Sequence, residues 1–226
     1  MQSHDVVLVQ YKPLPDHNKR KINHQHPIQP TQEKSIQEAI QLINQKFGAP
    51  QILINCAGIV HARRMVNREG PMPLTEFRHV IDVNLVGTFN MIKATAASMM
   101  NALKPDNEEE RGVIINTASV AAYEGQIGQT AYSASKGGIV SLTLPLAREL
   151  AQFAIRVMCI APGLVDTPMF KALTPEARTS LEASIPFPKR LAHPDEYTEL
   201  VLHIIKNPML NGSVIRLDGA LRMQPK

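Results

Sequence analysis

Tryptophan is absent from the 226 residues, and all aromatics together make up 4%. Such a chain has little material for stacking nucleic-acid bases, so DNA binding is not expected. Cysteine occurs twice, at Cys56 and Cys159. Two cysteines cannot build the disulfide framework of a small secreted domain. Both end apolar runs, so they read as buried, reduced thiols of a reducing compartment. No stretch of about 20 apolar residues occurs, and no membrane span is expected. The N-terminus has neither a secretory apolar core nor the Arg- and Ser-rich amphipathic pattern of a mitochondrial leader. His61, His79, His193 and His203 lack metal-ligand spacing such as His-Glu-x-x-His. They read as surface or packing residues, and Met99, Met100 and Met169 as packing. Finally, no glycine precedes Gly48, which bears directly on phosphate binding below.

What remains has the composition of an ordinary globular protein: 44% apolar, 19% charged, net charge +4. The length suits one domain with a full core. The mild basic bias fits an acidic ligand such as a dinucleotide or a CoA thioester. Residues 1–30 read as a divergent, partly disordered segment. Asp5-Val-Val-Leu-Val-Gln10 is its only apolar run, and a polar stretch with four prolines follows. The Lys19-Arg20-Lys21 run reads as a solvated loop.

From Thr31 the chain alternates helix and strand. Ile36, Ala39, Ile40, Ile43 and Phe47 recur at helical spacing, with Thr31 as N-cap and Gly48 as the stop. Gln51–Gly58 and Val113–Ser119 are apolar runs ending in polar or glycine residues, as is Ile155–Ile160 followed by Ala-Pro-Gly163. Val214–Leu217 is the last strand. Helices are expected over Leu74–Ala102, Thr130–Gln152 with a local opening at Pro145, and Pro194–Lys206. Residues 164–192 read as loop and short helix. Continuous apolar strands separated by helices imply an α/β, doubly wound parallel sheet in three layers, Rossmann-like. Ligands bind beyond the C-terminal strand ends in such sheets. Asn55–Gly58, Ser119 and Pro162–Gly163 all lie there.

The chemical centre is Tyr132-Ser-Ala-Ser-Lys136, with Ser119 thirteen residues upstream. Residues at i and i+4 share a helix face. An ammonium beside a phenol favours the phenolate, so Tyr132 is expected below its ordinary value of about 10. It would then exchange protons near neutral pH. Ser119 could hydrogen-bond the same substrate oxygen. This is the chemistry of hydride transfer to and from a carbonyl. Tyr-x-x-x-Lys alone is weak evidence. It is joined here by Asn55-Cys-Ala-Gly58, by Asp82-Val-Asn84, and by Pro162-Gly163 followed by Thr167. In that order and spacing the chain resembles the short-chain dehydrogenase/reductases. Longer stretches, such as Arg111–Ala122 and Leu210–Ala220, are similar to a subgroup acting on 3-hydroxyacyl-CoA and hydroxysteroids.

The resemblance implies an NAD-dependent enzyme and a role for each residue. Tyr132 would be the general acid or base. Lys136 would tune Tyr132 and bind the nicotinamide ribose. Ser119 would polarise the substrate oxygen. Asn84 would hold the helix backbone open for a water leading to Lys136. Asn55, Cys56, Ala57 and Gly58 would line the adenosine side of the cofactor cleft, and Pro162, Gly163, Val165 and Thr167 the nicotinamide end. Gln129 would face the substrate at the mouth, and residues 166–190 would form the lid. The resemblance also implies a homo-oligomer, a tetramer, in mitochondria; the visible N-terminus, read alone, suits the cytoplasm.

The chain departs from the family at its start. The family's glycine-rich turn, which places a helix N-terminus on the pyrophosphate, has no counterpart before Gly48. Gln10 and Gln29 stand where the family carries cofactor-binding acidic residues. Each lost charged hydrogen bond is worth roughly 1.5–3 kcal/mol. Micromolar NAD affinity is thus expected to fall toward millimolar, with activity lost in proportion. Without the family's first strand, Ile52–Asn55 would be an exposed apolar edge, and Val6–Val9 is expected to dock there in parallel. A second reading stays open: a non-catalytic structural protein of the same fold, in an oligomer or, as the resemblance suggests, a tRNA-processing assembly.

Overall fold

A computed structural model describes residue 29 and residues 31–101, 110–167 and 174–225. Val6–Val9, Gln10, Lys19–Lys21, Ala102 and Met169 lie outside the described residues. Four strands form one parallel sheet in the order β1-β4-β5-β6. These are β1 (Ile52–Asn55), β4 (Gly112–Thr117), β5 (Ile155–Pro162) and β6 (Val214–Leu217). Side chains alternate across it. Leu53, Ile114 and Val157 face α1 (Glu33–Phe47), α3 (Gly87–Asn101) and α4 (Thr130–Ala151). Ile52, Val113, Ile115, Met158 and Ile160 face α6 (Pro194–Lys206). Continuous apolar runs therefore bury both faces, as expected.

Helix α1 begins at Glu33 with Gln32 at its cap and no side-chain cap bond, so Thr31 does not serve as the expected N-cap. Gly48 ends it at φ 82°, the left-handed region that favours glycine. The helix expected over Leu74–Ala102 has three parts. They are α2 (Leu74–Ile81), a widened π turn (Asp82–Val86) and α3. Close packing accompanies the π turn. A Cβ on Gly138 would lie 2.6 Å from a Leu85 methyl. Helix α4 runs straight on in sequence through Pro145. The chain also folds a small hairpin that the periodicity did not show, β2 (Val66–Asn67) with β3 (Gly70–Pro71). Its turn is closed by Glu69 N–H donating to Asn67 Oδ1 at 2.8 Å. Within residues 164–192 lies one further helix, α5 (Pro175–Ala183), capped by Thr174.

Among the described residues β1 is a sheet edge, although Ile52 and Leu53 are buried. The other end of the sheet is held by an ionic hub. Arg156 is buried on β5 and donates to the carbonyls of Ile204, Ile205, Asn207 and Leu210 at 2.7–3.3 Å. Its remaining donors meet Glu110 at 2.8 and 3.0 Å. One guanidinium thereby satisfies the carbonyls at the end of α6, where intrahelical donors run out. Lysine has too few donors for this geometry. Arg156→Ala leaves those carbonyls and Glu110 unmatched. It is expected to destabilise the protein by about 3 kcal/mol in urea unfolding, with Arg156→Lys recovering only part of the loss.

Candidate active site

Because all four strands run parallel, their C-terminal ends open on one side of the sheet. Each strand end delivers a part of one cleft. Ser119 follows β4 and caps a short 3-10 turn, Val120–Ala122, its hydroxyl accepting from Ala121 N–H at 3.1 Å. Tyr132 and Lys136 sit in the first turns of α4. Ser119 stands close enough to Tyr132 to lower its proton affinity. Lys136 is buried at 4% exposure, and its ammonium donates to Thr117 O at 2.8 Å. The same ammonium stands 5.8 Å from the Tyr132 ring centroid.

The expected proton affinities are corrected by this geometry. Burial raises Tyr132 above its ordinary value, and nearby Ser119 only partly opposes it. Lys136 does not hold the phenol down, because it is itself desolvated. Burial lowers its ammonium to about 8. Two groups in one dry environment both favour their neutral forms.

Asn84 behaves as a backbone surrogate. It lies fully buried in the π turn. Its Oδ1 accepts from Ile59 N–H at 2.8 Å, and its Nδ2 donates to Ile59 O at 2.9 Å and to Ser135 Oγ at 3.0 Å. Ser135 in turn donates to Tyr132 O at 2.7 Å. The widened backbone is present, and the Asn84 carbonyl accepts from Thr88 Oγ1 at 2.7 Å. Gly58 packs into the same corner: a Cβ there would lie 3.2 Å from Asn84 Oδ1 and 3.5 Å from Lys136 Nζ.

The remaining predicted residues divide. Asn55 is buried, and its amide donates across the sheet to Asn116 Oδ1 at 2.9 Å rather than into the cleft. That leaves Asn116 Nδ2 as a buried donor with no protein acceptor. Cys56 is exposed, not a buried hydrophobe, because β1 ends at Asn55 and the chain turns out past Ala57. Its thiol reaches Thr117 Oγ1 at 3.5 Å and Tyr197 OH at 3.6 Å. Cys159 is buried as expected, its thiol pushed up to about 11 by burial. Pro162 ends β5, and Gly163 packs so tightly on Asp218 that a Cβ would lie 2.9 Å from it. Val165 pairs with Ala192, and Thr167 N–H donates to Val165 O at 2.8 Å. Gln129 caps α4, but its Oε1 accepts from Gln126 N–H at 3.1 Å. Arg178 of α5 grips Asp166 through two bonds of 3.1 and 2.9 Å.

Sequence reasoning missed Thr117 and Tyr197, whose hydroxyls lie 2.6 Å apart across the cleft wall, and it missed Ser135. Ser135 carried a signal, standing between Tyr132 and Lys136 in the motif. No cluster of metal-ligating side chains occurs among the described residues, and no described helix is long and apolar enough to cross a membrane.

The family model for short chain dehydrogenases matches residues 15–178. The 3-hydroxyacyl-CoA dehydrogenases type-2 of Bos taurus and Homo sapiens are each 54% identical over 201 residues, covering 88% of this chain and 77% of theirs. A crystal structure of 3-hydroxyacyl-CoA dehydrogenase type-2 from Mycobacterium avium superposes with TM-score 0.81. It shares 42% identity and covers 88% of this chain and 77% of that one.

The buried lysine makes a pH signature. Lys136 keeps its proton up to pH 10.5 when unfolded but only to about 8 when folded. Below pH 8 both states are charged, and the fold carries the full desolvation cost, roughly 3 kcal/mol. Between the two values the unfolded chain binds more protons, so stability rises with pH. Tyr132, raised when folded, acts oppositely and only above pH 10. Lys136→Met is therefore expected to be more stable than wild type near pH 7. The gap should shrink by about 2 kcal/mol toward pH 10. A gap that does not change with pH in urea titrations contradicts the assignment.

Proposed function

Because the chain belongs to the short-chain dehydrogenase family, we propose that it is an NAD(H)-dependent oxidoreductase interconverting secondary alcohols and ketones. The proposed substrate class is 3-hydroxyacyl-CoA thioesters, with hydroxysteroids as a second class. The observation that carries this reading is the gathering of Ser119, Tyr132 and buried Lys136 at the C-terminal strand ends, with the ammonium 5.8 Å from the Tyr132 ring centroid.

The residues at the strand ends fit a nicotinamide ribose. Lys136 has three donors and gives one to Thr117 O, leaving capacity for ribose hydroxyls. Gly58 lets its turn pass close to the ammonium: a Cβ there would lie 3.5 Å from Lys136 Nζ. Val165 and Thr167 continue the wall beyond Gly163. Nicotinamide, when bound, accepts or supplies the hydride at the substrate carbon. The chain's own residues handle everything else. Ser119 orients the substrate oxygen. Tyr132 gives that oxygen a proton in reduction and removes one in oxidation. Its raised pKa keeps the phenol protonated at neutral pH, which suits the reducing direction; oxidation is favoured in alkali. Asn84, through Ser135, fixes the turn of α4 that carries Tyr132. Gln129 borders the mouth. A homo-oligomer, a tetramer, and a mitochondrial location belong to the same reading.

The test is oxidation of a short-chain 3-hydroxyacyl-CoA with NAD, followed by the absorbance of the reduced nicotinamide. Tyr132→Phe is expected to lower kcat by about 10²–10⁴-fold while NADH still raises the melting temperature. Absence of turnover in the wild type, together with no thermal shift at millimolar NADH, overturns the reading in favour of a non-catalytic protein.

A further inference from the structure

The turn that carries Ser119 has little of its own to hold it in place. It is a single 3-10 turn, Val120–Ala122, followed by a loop to Gln129. Its inner side leans on α4. A Cβ on Gly125 would lie 2.1 Å from Ser133 Oγ, one residue past Tyr132. Its outer side meets β6. There Arg216 lays its guanidinium 5.1 Å from the Tyr123 ring centroid. Its two terminal nitrogens donate to the two carboxylate oxygens of Glu124 at 2.7 and 2.8 Å. Its Nε donates to Asp218 Oδ2 at 2.6 Å, and one terminal nitrogen also reaches Leu221 O at 3.0 Å. Asp218 is the residue against which Gly163 packs, and Gly163 N–H donates to Leu217 O at 2.9 Å. One planar side chain thus joins the serine turn on one wall of the cleft to the Pro162-Gly163 turn on the other.

The tail beyond β6 extends the same contact. Ile127 N–H donates to Pro225 O at 3.0 Å, and Gln126 Nε2 donates to Gln224 O at 3.0 Å. The arrangement is specific to arginine, because only a guanidinium can fork onto Glu124 and still reach Asp218. The ion pair is about a quarter exposed at Glu124 and Arg216, while Asp218 is 8% exposed. Arg222 joins the same cluster more loosely, 3.6 Å from Glu124 and 3.3 Å from Asp218; solvent-reached pairs contribute little to stability, so the value of the Arg216 fork lies in geometry.

We propose that Arg216 is a positioning residue for the reaction: it clamps the Ser119 turn to the Gly163 turn and so fixes the distance between the serine hydroxyl and the hydride-transfer position. This deepens the functional reading above and rests on Ser119 and Tyr132 being its proton-transfer pair. The clamp acts on placement, not on cofactor contact, so it separates kcat from the KM for NAD.

Arg216→Ala, Arg216→Lys, Glu124→Ala and the Glu124→Ala/Arg216→Ala double variant are assayed below the melting point of each, with folding checked by circular dichroism. A misplacement of about 1 Å costs up to ~10²-fold. Arg216→Ala is therefore expected to lose about 10- to 100-fold in kcat with the KM for NAD unchanged. Arg216→Lys recovers part of the loss, and the double variant is no slower than the slower single, since the fork is one unit. Amide exchange over residues 119–127 quickens in Arg216→Ala, while α6 keeps its protection. The proposal is overturned by a kcat within about twofold of wild type in folded Arg216→Ala, by unchanged exchange over 119–127, or by a loss that the unfolded fraction fully explains. If the wild type turns over no substrate, the functional reading fails, and exchange alone decides the clamp: quickened exchange upholds it and unchanged exchange refutes it.

Discussion

A desolvated ammonium sets the terms for the whole cleft. Lys136 stands at 4% exposure with one carbonyl, Thr117 O, as its acceptor. Burying such a charge is costly, and several features of the fold follow from accommodating it. Strand β4 must end at Thr117 so that its last carbonyl points along the cleft. Gly58 must lack a side chain so that β1's turn can pass within van der Waals reach of the ammonium. Gly138 must lack one so that the π turn and α4 approach closely. The phenol of Tyr132 shares the same dry space and is driven toward its neutral form. Chemistry and packing are here the same constraint seen from two sides.

The Asn84 hub shows how an irregular helix can be the stable choice. An α-helix over residues 82–86 would leave no widened turn. In the π turn, Asn84 reaches both backbone groups of Ile59 and still binds Ser135. It thereby joins the end of β1 to α4, two elements that do not adjoin in sequence. π turns often mark functional sites. The effect here is to make Ile59, and with it Gly58, a fixed wall.

Much of this was legible in the chain. Period 3.6 in Ile36–Phe47 and the apolar runs Val113–Ile115 and Val157–Ile160 announced helix and strand with their order, and a parallel sheet then placed every strand end on one side. The Tyr132–Lys136 spacing gave the chemistry. What escaped depends on burial and on long-range contact. The direction of the Tyr132 shift could not be read from an i, i+4 neighbour, because desolvation is a property of the whole cleft. Cys56 looked buried because it ends an apolar run, yet the strand stops one residue earlier. The bond from Asn55 to Asn116 follows only from the sheet register that sets the two strands side by side. Arg216, Glu124 and Asp218 are spread over 94 positions of sequence, and nothing local couples them. The π turn had only one hint, Asn84 in the Asp82-Val-Asn84 motif.

The two thiols differ in a way that makes the cleft open to optical measurement. Cys159 is buried, and its proton is held more tightly than in a free thiol. Cys56 is exposed just past the end of β1, beside Thr117 and Tyr197. Thiolate chemistry follows access and acidity, so a maleimide or a nitroxide reagent meets a single addressable sulfur. The natural chain thus carries its own attachment point for a reporter group. It lies close enough to sense what enters the cleft, without any engineered cysteine.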